Sequence, residues 1–363
     1  MWTDRRILEL FGIELPIIQA PMAGPCFADI AIAVSEAGGL GSLPTATLSP
    51  EEARSELQII RQQTGRPFNV NFFCHREPAS NPLIEAGWRK VLATYYREFG
   101  LDPNRSNAPD DRAPFNDALC RLVEEFRPVV VSFHFGLPAK SLLDRVRAAG
   151  ARVISSATTV AEARWLEDQG CDAIIAQGAE AGGHRGIFLS DDVLGDAARQ
   201  PGTFALVPQV VDAVKVPVIA AGGIADGRGV VAALALGASA VQVGTAYLFT
   251  PEARISAAHR AALMAASADA TALTNVFTGR PARGIVNRVM REVGPISRAA
   301  PTFPTAGGAL APLKKAAPGD FGSLWSGQAG ALARQRNLSA GELTRSLAAE
   351  ARQLLDSLLR TRP

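Results

Sequence analysis

The feature that most limits how this chain can fold is a beat. A short apolar run, a turn and a segment of helical period recur eight times. The runs are PIIQA at 16–20, LGSL at 40–43, PFNVNFF at 67–73, PVVVSFHF at 128–135, RVISS at 152–156, AIIAQ at 173–177, VPVIAA at 216–221 and AVQVGTAYL at 240–248. Runs that are apolar at consecutive positions suit strands buried on both faces, as in a parallel sheet. Helical periods fill the intervals at 27–37, 50–63, 116–126, 138–150, 160–169, 204–214, 229–236 and 251–266. Ser49 and Pro50 read as a cap and first-turn pair. Eight such units within about 250 residues predict an α/β fold, a (β/α)8 TIM barrel, over an open sheet.

Two stretches break the beat. Residues 76–114 carry Tyr95-Tyr96 and a Pro/Asn/Asp-rich tail, with one helix expected near 83–99. Residues 267–363 carry FTGRPARG, a Pro/Gly/Ala-rich stretch, SLWSGQ and a terminal amphipathic helix. The expectation is a barrel over 1–75 and 115–266, with 76–114 and 267–363 forming a smaller, mainly helical lid. With 363 residues, 47% hydrophobic and 20% charged, the chain has ample material for a large core. Thirty-seven basic against 35 acidic residues leave +2, no electrostatic footprint for nucleic acid. No apolar run reaches the roughly 18–20 residues that span a bilayer. The N-terminus lacks the apolar region of a signal peptide. Cys26, Cys74, Cys120 and Cys171 are scattered, without a CxxC pair. Together these predict a cytoplasmic protein with reduced thiols. They leave monomer and homodimer both open.

In a barrel of this kind the chemistry lies at the strand C-termini. The sixth run opens into QGAEAGGHRG at 177–186. Gly182 and Gly183 let backbone amides approach a ligand closely. His184 titrates near neutrality and suits a general base, against the plainer reading of a loop histidine with a structural bond. Gly222-Gly223 end the seventh strand, and Gln242-Val243-Gly244-Thr245 sit on the eighth. Loops there commonly cradle phosphate with backbone N–H groups, although glycines also merely permit tight turns. Asn71 and Gln177 are placed to hydrogen-bond the edge of a planar heterocycle. The apolar turn after the first strand, Ala20-Pro21-Met22, can pack on its face. Flavin mononucleotide fits that combination. Gly227-x-Gly229-x-x-Ala232 matches a dinucleotide fingerprint but lies in the seventh unit, with no strand-ending acid about 20 residues on. Its glycines are read as helix starts beside the phosphate. His75, His134, His184 and His259 show no metal-ligand spacing, so no metal is expected.

PIIQAPMAG at Pro16, NVNFF at Asn69, QGAEAGGHRG at Gln177 and AAGGIADGRG at Ala220 resemble the nitronate monooxygenases, formerly 2-nitropropane dioxygenases. QVGTAYL at Gln242, FTGRPARG at Phe277 and SLWSGQ at Ser323 resemble the bacterial-type class of that family. The resemblance implies an FMN enzyme that oxidises alkyl nitronates with O2 to a carbonyl compound and nitrite. Propionate 3-nitronate is the substrate it implies, and detoxification the role. It implies FMN contacts from Asn71, Gln177, Gly182, Gly223 and Gln242 to Thr245, with His184 as base or nitronate-orienting group. The chain departs from the family at Phe303, which keeps the ring of a tyrosine and loses the hydroxyl. Lys314 and Lys315 are candidates for holding a substrate carboxylate. Competing expectations on the same fold are a flavin-dependent enoyl-acyl-carrier-protein reductase or another NAD(P)H-dependent flavin oxidoreductase. A flavoprotein-like sensor without turnover is a third.

Overall fold

The computed structural model describes residues 2–79, 81–102 and 112–360. The strands in chain order are β1 (Ile17–Gln19), β2 (Gly41–Pro44), β3 (Phe68–Phe73), β4 (Val130–His134), β5 (Arg152–Ala157), β6 (Ala173–Gln177), β7 (Gly183–His184), β8 (Val218–Ala221), β9 (Ala240–Val243), β10 (Thr271–Thr274) and β11 (Ala282–Ile285). Eight of them form one parallel sheet in the order β1-β9-β8-β6-β5-β4-β3-β2. The ring closes just ahead of β2. There Gln19 donates to the Leu40 carbonyl at 2.9 Å, and Leu40 donates to Ile17 at 3.0 Å. The strand residues are almost all buried, with Ile17, Leu43, Val131, Ile154, Ile174, Ile219 and Val241 sealed from solvent. The two-faced burial expected of the apolar runs is thus realised as a TIM barrel.

Local signals set most element ends. Ser49 caps the helix Pro50–Gln63 with a full capping box, its hydroxyl accepting from Glu52 N. The helix expected at 251–266 begins later. Ser256 caps Ala257–Ala265 by accepting from His259 N, and a 3-10 turn, Thr245–Phe249, precedes it. The eighth barrel strand is accordingly shorter than its apolar run. It stops at Val243, so Gly244 and Thr245 lie beyond the strand rather than on it.

A second core sits beside the barrel. Trp88, Leu92 and Tyr96 on helix Pro82–Glu98 pack with Phe277, Leu310, Leu313 and Phe321. Trp88 Nε1 donates to Ala306 O at 3.0 Å, and Tyr96 OH donates to Ala309 O at 2.6 Å. The two stretches that break the beat therefore share one cap. The cap also holds a small antiparallel sheet, β10-β11-β7, which the sequence reading did not include. Its edge strand is β7, the Gly183–His184 pair.

The terminal helix Ala340–Arg360 does not belong to that cap, contrary to the boundary drawn at 267–363. Leu343, Leu347, Ala348 and Ala351 are buried in the barrel's core. Gly227 makes room for this helix: a Cβ there would lie 2.7 Å from Ala351 N. Each fully buried leucine contributes about 1.5–3 kcal/mol. Among the described residues, no helix is long and apolar enough to cross a membrane.

Candidate active site

A deep cleft, about 1350 Å³ of empty space when its solvent-filled mouth is counted, lies at the C-terminal end of the barrel strands. Ala20, Pro21, Met22, Asn71, Gln177, Gly182, Gly183, His184, Gly222, Gly223, Gln242, Gly244 and Thr245 all line it. Val243 does not. It is fully buried, and its carbonyl accepts from Ala20 N at 2.8 Å, fixing the turn after β1.

The glycines have conformational reasons to be there. Gly222 and Gly223 take φ of 116° and 71°, a region that side chains with a Cβ rarely adopt. A Cβ on Gly182 would stand 2.6 Å from Ser326 C and also strike Gly327 N. That position therefore requires a bare backbone so that the Ser326–Gly327 segment can seat against it. Gly182→Ala is expected to destabilise the protein by about 1–3 kcal/mol. A urea melt measures that loss, and an unchanged midpoint would show that Ser326–Gly327 yields freely.

His184 is held at both ends. Its carbonyl accepts from Gln177 Nε2 at 3.0 Å and His134 Nε2 at 3.2 Å. Because a carbonyl only accepts, His134 carries its proton on Nε2 and takes a hydrogen bond at Nδ1 from Ser156 Oγ, 3.1 Å away. The His184 ring meets Thr278 Oγ1 at 2.9 Å through Nε2. Ring contacts come from Phe303 at 5.3 Å, Trp325 at 5.5 Å, Phe135 at 6.0 Å and Phe73 at 6.1 Å. Burial, reinforced by the positive charge of Arg112, pushes the His184 pKa well below the ordinary imidazole value. The ring is therefore uncharged at neutral pH.

The Gln177 amide positions the loop with both of its ends. Its Nε2 holds His184 O, and its Oε1 accepts from Gly186 N at 2.8 Å. Asn71 donates to Ser132 Oγ at 2.9 Å. By contrast Gln242 Oε1 is buried without a hydrogen-bond partner. An orphaned acceptor in a cavity wall costs about 1–3 kcal/mol unless something bonds to it.

Two arginines pack behind His184: the buried Arg185 on its own loop and the half-buried Arg280 between β10 and β11. Arg185 donates to Gln177 O, Gly178 O and Gln200 Oε1, each at 2.6 Å. Arg280 lies over the Phe135 ring at 4.2 Å and donates to Ile187 O. Burial pulls its pKa down to about 10. These acceptors are neutral, while the carboxylates of Glu162 and Glu180 act on Arg185 from a distance, and Glu162 on Arg280 as well.

The profile of the nitronate monooxygenase family matches residues 4–350. The chain belongs to this family. A nitronate monooxygenase of Pseudomonas aeruginosa is 44% identical over 357 residues, covering 96% of this chain and 99% of the relative. The structure of nitroalkane oxidase from Streptomyces ansochromogenes superposes with a TM-score of 0.86 at 39% identity, covering 97% and 99% of the two chains. FabK from Thermotoga maritima follows with a TM-score of 0.72 at 28% identity, covering 97% of each chain. The protein is an oxidoreductase, and nitronate monooxygenases are flavin-dependent enzymes.

Within this family member several wall residues carry no sequence signal of their own. Glu180, Trp325, Ser326 and Gly327 line the cavity, as do His134, Ser156 and His259. His259 Nε2 donates to Trp325 O at 3.0 Å. Strings such as SLWSGQ are motifs of the nitronate monooxygenase resemblance, but their neutral residues announce no chemistry. Two sequence expectations need correction. Gly227 and Gly229 do not line the cavity, and their amides bond Glu350 Oε2 and Asp226 Oδ1. The start of helix Thr203–Ala213 is likewise taken, by Glu180. A phosphate would thus meet the turn amides of Gly222–Gly223 and Gly244–Thr245, not a helix start. Lys314 and Lys315 are exposed and off the cavity. Phe303 is buried among Phe73, Phe135 and His75. Among the described residues, no cluster of three or more His, Cys, Asp or Glu side chains is placed to hold a metal.

Proposed function

We propose that the protein binds FMN in this cavity and oxidises alkyl nitronates with O2 to a carbonyl compound and nitrite. Propionate 3-nitronate is the substrate proposed, and removal of toxic nitro compounds the role. The observation that carries the reading is that the His184 ring, the two positive-φ glycines Gly222 and Gly223 and the unpartnered Gln242 Oε1 border one cavity at the strand C-termini. The residues fit the cofactor. The unpartnered Gln242 Oε1 suits an N–H on a heterocycle edge, and Asn71 lies in the same wall. The two positive-φ glycines bring backbone to the phosphate end, and Met22 with the Ala20–Pro21 turn gives an apolar face.

When bound, FMN supplies the one-electron chemistry. The protein's own residues do the rest. The half-buried Arg112 and Arg280 attract an anionic nitronate. His184 takes the α-proton of a neutral nitroalkane. Phe303, Phe73 and Trp325 keep bulk water from the ring.

Two measurements on the purified yellow protein test this. Oxygen uptake with propionate 3-nitronate should rise with enzyme concentration and release nitrite. NADH added anaerobically should leave the flavin oxidised. Rapid bleaching by NADH would instead support the reductase expectation. Background oxygen uptake at saturating nitronate would support a sensor.

A further inference from the structure

We infer that Thr278 sets the tautomer of His184, so that the nitrogen offered to substrate is Nδ1. Thr278 lies between β10 and β11, in the cap, and is 2% exposed. Its Oγ1 is 2.9 Å from His184 Nε2 and 3.4 Å from the Arg280 carbonyl. The carbonyl has no proton to give. With the hydroxyl hydrogen turned toward the Arg280 carbonyl, an Oγ1 lone pair faces Nε2. In that arrangement Nε2 carries the ring proton. Among the described residues His184 Nδ1 has no hydrogen-bond partner, and it is absent from the sealed, unpartnered atoms. That nitrogen is open to the cavity.

The arrangement divides the labour between the two cores. Barrel residues Gln177 and His134 fix the backbone of the base, and a cap residue fixes its ring. Proton abstraction then balances simply. The α C–H bond of a neutral nitroalkane breaks, its electron pair remains as the nitronate, and the proton passes to Nδ1. The resulting imidazolium still donates from Nε2 to Thr278, and Nδ1 later returns its proton to water. Thr278 touches no reacting atom, so it is a positioning residue. A substrate that is already a nitronate needs no such transfer.

The test has a spectroscopic arm and a rate arm. In flavin-loaded protein labelled with ¹⁵N-histidine, His184 should show a protonated Nε2 and a bare Nδ1, assigned by its absence in His184→Asn. Thr278→Val, nearly isosteric, should convert this to a mixture of tautomers. Its rate on a neutral nitroalkane, divided by its rate on the matching nitronate, should fall about tenfold. Thr278→Ser should restore both readouts. A protonated Nδ1 in the wild type overturns the assignment. So does an equal loss on both substrates with an unchanged ring spectrum, since that marks a merely structural hydroxyl. If Thr278→Val does not fold, the wild-type spectrum with Thr278→Ser still decides. The rate arm rests on the oxidation proposed above, whereas the tautomer arm does not. A wild type inert toward nitronates but with Nε2 protonated would sink the function and leave the tautomer standing.

Discussion

Replacing His184 by asparagine is expected to give a flavin-loaded protein whose turnover of neutral nitroalkanes has fallen about 10²–10⁴-fold, the range a positioned general base contributes. The backbone bonds to His184 O from Gln177 and His134 do not depend on the ring, so the loop should keep its place. Turnover of preformed nitronates should fall much less, because no proton has to be removed. The wild-type pH profile follows from the direction of the shift. Burial and neighbouring positive charge hold the folded pKa of His184 well below 6.5, and a base is active above its pKa. Lowering the pH from 7 to about 6 should therefore leave base-dependent turnover intact, where an ordinary imidazole would have lost much of it. Steady-state rates on both substrate forms, across pH and in the variant, check this. An unchanged nitroalkane rate in His184→Asn would refute the base role.

Glu162→Leu should destabilise the fold by about 3–5 kcal/mol, the second large effect. Glu162 is 1% exposed, and its carboxylate serves four donors. Thr158 N and Thr158 Oγ1 reach Oε2, both at 2.6 Å. Phe188 N and Leu189 N reach Oε1, at 2.7 and 3.3 Å. Leucine fills a similar volume and accepts nothing, so these donors are stranded in a place water barely enters. The damage should be directional. Thr158 also receives Gln200 Nε2 at 2.5 Å, and Gln200 accepts from Arg185, the neighbour of His184. Denaturant melts measure the global loss, and amide exchange at Phe188 and Leu189 reports the local one. Glu162→Gln keeps one acceptor oxygen and should lie between. A leucine variant within about 1 kcal/mol of wild type would show that the loop does not depend on this carboxylate.

The barrel was legible because burial on both faces leaves its mark at every strand position, as in AIIAQ or VPVIAA. The glycines and His184 were legible because backbone freedom and a titratable ring are written in residue type. Other parts were hidden for physical reasons. β7 is two residues long, too short for any alternation, and its partner β11 lies nearly 100 positions away. The terminal helix showed an apolar face through Leu343 and Leu347, but periodicity does not say which core a face meets. Gly227 and Gly229 matched a phosphate-loop pattern, whereas only the fold reveals that Asp226 and Glu350 already occupy their amides. Thr278 is an ordinary hydroxyl in the sequence and acquires its meaning solely from what it faces.

The membership of Gly183–His184 in the cap's sheet ties the imidazole to both halves of the molecule. A closed ring of eight strands would shape the pocket, but without the cluster of Trp88, Phe277 and Phe321 it would lack the sheet that aligns the ring. Damage done far from the pocket, in the cap alone, would therefore reach the chemistry.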